Sequence, residues 1–65
     1  MKILLADIMY NKNVSARQLA TLTGISKSTI NNIANETYSP TMDNMEKLAA
    51  VLTVRISDLY DSPYK

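Results

Sequence analysis

Ser28, Asn31, Asn32 and Asn35, with Lys27 beside them, are the residues of this chain best equipped for recognition chemistry. Advancing about 100° per residue along a helix places them on one side and Ile30 and Ile33 on the other. Apart from the lysine, these side chains are uncharged and can both donate and accept hydrogen bonds. Such groups suit the base edges of a major groove. Asn pairs bidentately with adenine, Lys with guanine, and Ser with either. A face serving only solubility would usually hold Glu, Lys and Arg. Asn is a poor helix former, so Asn31, Asn32 and Asn35 on one short helix impose a cost that a bland surface avoids. The blander reading stands beside this one, because many small helical bundles carry such a helix with no nucleic-acid role.

Other chemistries lack their residues. The 65-residue chain has no cysteine and no histidine. No thiolate nucleophile, disulfide or imidazole base is available, and the commonest zinc ligand is missing. A single glycine, Gly24, excludes a glycine-rich phosphate loop. Asp43 and Glu46 are three residues apart and could share a cation. The simpler account of Asp43 is a favourable place in a first helical turn. We expect no enzyme, no metal, no cofactor and no small-molecule effector. No apolar run approaches the roughly 20 residues that cross a bilayer. Asp7 interrupts the apolar start before it can serve as a signal peptide. The expectation is a cytoplasmic protein without membrane contact.

Charge is distributed unevenly although the net is only +1. Residues 1–35 set Lys2, Lys12, Arg17 and Lys27 against Asp7, a net of +3. Residues 36–65 set Lys47, Arg55 and Lys65 against Glu36, Asp43, Glu46, Asp58 and Asp61, a net of −2. The first half is the better anion-facing side.

One domain, residues 1–65, must position these groups, since two cores do not fit in this length. Apolar spacing is helical throughout, and five helices with no sheet are predicted. The first covers about Ile3 to Lys12, with Leu5, Ile8 and Met9 on one face. Ser15 caps a second, Ala16 to Thr23, with Gln18 completing a capping box and Val14 poised to staple onto Leu19. Leu19, Ala20 and Leu22 supply its apolar surface, and Gly24 is its left-handed stop. Ser26 caps the third, about Lys27 to Asn35, and Ile25 plugs the intervening turn into the core. Thr41 caps the fourth, Met42 to Leu52, whose buried stripe is Met45, Leu48, Ala49 and Leu52. Val54 and Ile56 turn inward, and Ser57 caps a final turn over Asp58 to Tyr60. Met1, Met42 and Met45 are expected to pack. Leu59, Tyr60, Pro63 and Tyr64 form either a dimer patch or the closure of the core. The stretch from about residue 16 to 35 is thus a helix-turn-helix.

At this point the chain resembles the Cro and lambda-repressor-like helix-turn-helix regulators, the XRE family. The matching residues begin with Ser15, Gln18-Leu19-Ala20, Thr23-Gly24-Ile25-Ser26, Ser28-Thr29-Ile30, Ile33, Asn35 and Pro40. They continue with Met45, Lys47-Leu48-Ala49, Leu52, Val54 and Asp58-Leu59. The resemblance implies an all-α, compact five-helix domain acting as a repressor. It implies a homodimer on palindromic operator DNA. By position, Lys27, Ser28 and Asn32 match base-reading residues, with Asn31 an addition. Ser15, Ala16 and Arg17, and then Asn35, Thr37 and Tyr38, match phosphate contacts. The other reading is a protein-interaction module of the same fold, an antitoxin-like partner, which would not need the Asn-rich face.

Three departures from the family pattern bear on this. The family often has Gly where this chain has Glu36. A left-handed non-Gly residue costs about 1 kcal/mol, so Asn35 is expected to take that conformation instead. The loop Glu36-Thr37-Tyr38-Ser39 lacks the basic residues common in the family. An Arg–Glu ion pair found in many members is replaced by Met9 and Ala34, a swap that is often neutral or stabilising.

Overall fold

The computed structural model describes residues 1–37 and 39–65. Among the described residues, four α-helices surround one core: α1 (Leu5–Lys12), α2 (Ala16–Thr23), α3 (Lys27–Ala34) and α4 (Met42–Leu52). Helix α2 packs on α3 and α4, and α1 meets α3. Leu5, Leu19, Ile30, Ile33, Leu48 and Leu59 are fully buried at its centre. Ile25, Met45, Ala49 and Leu52 complete it as expected.

Capping sets the helix starts. The Ser15 hydroxyl accepts from the Gln18 N–H at 3.1 Å, and the Gln18 side chain accepts from the Ser15 N–H at 2.8 Å. Ser26 and Thr41 cap α3 and α4 in the same manner, each accepting a backbone N–H at 3.1 Å. Each cap satisfies a donor that a helix start otherwise leaves without a partner.

The fifth helix and the absence of a sheet are corrected. Ile56–Leu59 forms a single 3-10 turn, the tighter geometry that short segments adopt. It starts at Ile56, not at Asp58 behind a Ser57 cap. The Asp58 carboxylate accepts from the Arg55 N–H at 2.9 Å, and this fixes the start two residues earlier. Tyr60 then goes extended, and Tyr60–Asp61 (β2) pairs antiparallel with Lys2–Ile3 (β1). The ladder continues as Leu4 N–H donates to the Leu59 carbonyl at 2.8 Å. Ile3 is therefore a strand residue. Helix α1 begins at Leu5: the Leu4 N–H is held by the Leu59 carbonyl while the Leu4 carbonyl already accepts from the Ile8 N–H, and β-branched Ile3 favours the ladder.

Other expectations differ locally. Leu22 is 65 % exposed rather than packed, and Met1 and Met42 are exposed as well, which leaves Met45 as the buried methionine of the three. Of the residues open to either a dimer patch or closure of the core, Leu59 is buried and Tyr60 packs against the core, whereas Pro63 and Tyr64 are exposed. Helix α3 ends at Ala34, and the left-handed residue after it is Glu36, with φ of 60°, rather than Asn35, with φ of −86°. Thr37 N–H reaches the Asn32 carbonyl and Glu36 N–H the Ile33 carbonyl, at 2.9 and 3.1 Å. That pair of bonds is a Schellman motif, which places positive φ at the residue after the C-cap. Asn35 occupies the C-cap itself, so the conformation passes to Glu36.

Candidate nucleic-acid interface

The connection between α2 and α3 is held from three sides. Gly24 adopts φ of 78°, and its N–H donates to the Ala20 carbonyl at 3.0 Å. Ile25 buries its side chain immediately afterwards. Thr23 spans the turn: its hydroxyl donates to the Leu19 carbonyl at 2.6 Å and accepts from the Ile25 N–H at 3.1 Å. The signal for this bridge was a hydroxyl residue at the last helical position, two residues before an apolar plug.

Ile30 and Ile33 seat α3 on the core, which leaves its opposite face outward. Lys27, Ser28, Asn31 and Asn35 are exposed, and Asn32 is half-buried. Among the described residues, no side-chain hydrogen bond engages any of the five. Their donors and acceptors are available to a ligand. Thr29, on the flank of α3, accepts from the Ser26 hydroxyl at 2.8 Å. This ties together the first turn that carries Lys27 and Ser28. An eight-residue helix is about 12 Å long and about 10–12 Å wide with side chains. A major groove about 12 Å wide accepts it.

The start of α2 brings a second set together. Ser15 and Arg17 are exposed and Ala16 is half-buried. The capping box occupies the N–H groups of Ser15 and Gln18. Of the four donors at a helix start, those of Ala16 and Arg17 are the ones left for an anion. Thr37 is exposed beyond α3. Tyr38 lies outside the described residues. Where the resemblance implies an ion pair, Met9 and Ala34 are both partly buried against the core.

A helix-turn-helix family model matches residues 5–59. The chain belongs to that family, the XRE type of Cro and lambda-repressor-like regulators. Its members are DNA-binding regulatory domains. A comparison with curated proteins returned no match. No helix among the described residues is long and apolar enough to cross a membrane.

Proposed function

We propose that residues 1–65 act as one sequence-specific DNA-binding domain that represses transcription by occupying an operator. Helix α3 lies in the major groove, where Lys27, Ser28, Asn31 and Asn32 meet base edges. Ser15, Ala16, Arg17, Asn35, Thr37 and Tyr38 meet phosphate, which sets register while the base contacts specify sequence. Two copies form a homodimer that reads half-sites about 34 Å apart. The observation that carries this reading is the exposed, unengaged Asn-rich face of α3 on a helix whose other side is wholly core.

Selection of bound duplexes from a random DNA pool at near-physiological salt tests it. Enrichment of a palindrome with half-sites about one helical turn apart supports the whole proposal. A single short half-site keeps the DNA reading and removes the symmetric dimer. No enrichment by folded protein overturns specific reading.

That last result would move the assignment to the protein-interaction module. One observation favours that module: Tyr10 on α1 and Leu22 on α2 stand 86 % and 65 % exposed, large apolar side chains left without a partner in the core. Capture of a defined protein partner would then be the next measurement.

A further inference from the structure

We propose that Glu36 is an electrostatic brake on sequence-independent DNA binding, a role that rests on the DNA reading above. Glu36 follows the C-cap of α3 at φ of 60°, a backbone region that favours glycine. Its carboxylate stands exposed at the C-terminal end of the helix, where the dipole disfavours negative charge. Two local rules are thus broken at one residue, and such sites are expected to be functional. Asn35 and Thr37, its neighbours on either side, are assigned here to phosphate. A like charge between them opposes the attraction they provide.

Phosphate attraction supplies essentially all non-specific binding. An exposed carboxylate just past the C-terminal end of α3 subtracts from that term on every sequence. Contacts from Lys27, Ser28, Asn31 and Asn32 recover affinity only where the bases match. The brake therefore keeps the protein off random DNA. It acts at long range through charge, so salt must weaken it.

The test measures binding to a short duplex of random sequence and to the selected duplex, at low and near-physiological salt. It compares the unaltered protein with Glu36→Gln, Glu36→Lys and Glu36→Gly. Gln keeps the left-handed side chain and removes only the charge, whereas Gly removes charge and backbone strain together. Gln and Gly are expected to tighten random-duplex binding by the same factor, and Lys by more. With Lys neutralising one further phosphate, the log–log salt slope steepens by about 0.9, so a fourfold rise in salt reduces the Lys gain about 3.5-fold.

Tightening by Gly alone overturns the brake, because the effect would then come from the backbone. Unchanged affinity in Gln and Lys, with the unaltered protein binding its selected duplex, also overturns it while the DNA reading stands. Failure of the folded, unaltered protein to bind either duplex overturns the DNA reading and the brake together. Circular dichroism on each variant shows that it is folded.

Discussion

Replacing Thr23 with Val removes the hydroxyl that bridges α2 to the turn and keeps the side-chain shape. Two hydrogen bonds are lost, at 2.6 Å to the Leu19 carbonyl and at 3.1 Å from the Ile25 N–H. Their consequences differ. The Leu19 carbonyl keeps the helical N–H of residue 23, so it is not orphaned. The Ile25 N–H belongs to a residue only 8 % exposed and loses its partner. An orphaned buried donor costs about 1–3 kcal/mol. With one such group, we expect a loss of about 1–2 kcal/mol. For a domain of this size that lowers Tm by about 4–16 °C. Thr23→Ser keeps both bonds and loses one half-buried methyl group, so its cost should stay below about 0.8 kcal/mol. Thermal unfolding followed by far-ultraviolet circular dichroism compares the two. If Val proves as stable as Ser, the hydroxyl bridge does not hold the turn, and Gly24 and Ile25 alone must account for its geometry.

Asn32→Ala should cost about 1–3 kcal/mol on the selected duplex and much less on random DNA. Equal losses in a binding titration on both would remove Asn32 from base reading. Thr53, a β-branched residue at φ of 58° after α4, is strained by about 1–2 kcal/mol. Thr53→Gly relieves that strain against an unfolded-state entropy cost of about 0.4–1 kcal/mol, so denaturant unfolding should show a more stable protein. A destabilised variant would mean that the Thr53 side chain is held by contacts that outweigh its backbone. Ser15→Ala removes the hydroxyl that accepts from the Gln18 N–H, leaves the backbone N–H that donates to the Gln18 side chain, and should cost about 0.5–2 kcal/mol. An unchanged denaturation midpoint would show that water replaces the cap.

The parts legible in the sequence are those governed by local chemistry. Ser15 with Gln18, Ser26, Thr41 and Gly24 mark helix ends by their own chemistry: α2, α3 and α4 begin, and α2 ends, where those residues say. Hydrophobic spacing gave Ile30 and Ile33 as the underside of α3, and hence the Asn-rich face as its exposed side. What stayed hidden depends on pairing between distant segments. Lys2–Ile3 is too short to show alternation, and its strand character comes from Tyr60–Asp61 at the far end of the chain. The left-handed residue after α3 was assigned by side-chain preference to Asn35, but the hydrogen-bond ring of the motif counts positions and selects Glu36. Leu22 is apolar and helical, yet its direction on α2 points away from the core. Periodicity over eight residues could not settle that.

Helix length explains why α3 depends on the rest of the domain for its fold. Helices α1, α2 and α3 have eight residues each, well below the roughly 12–15 at which an isolated helix becomes even marginal in water. α3 also carries the Asn residues that weaken it intrinsically. It persists because Ile30 and Ile33 are fully buried against a shared core, and because Ser26 and Thr29 fix its first turn. The side chains that would meet bases add nothing to this support. Lys27, Ser28 and Asn31 are exposed and Asn32 is half-buried, and none of these side chains takes part in the hydrogen bonds of the described residues. The domain thus separates its two tasks across one helix. The inner face supplies the stability that the outer face spends on polar groups suited to a partner.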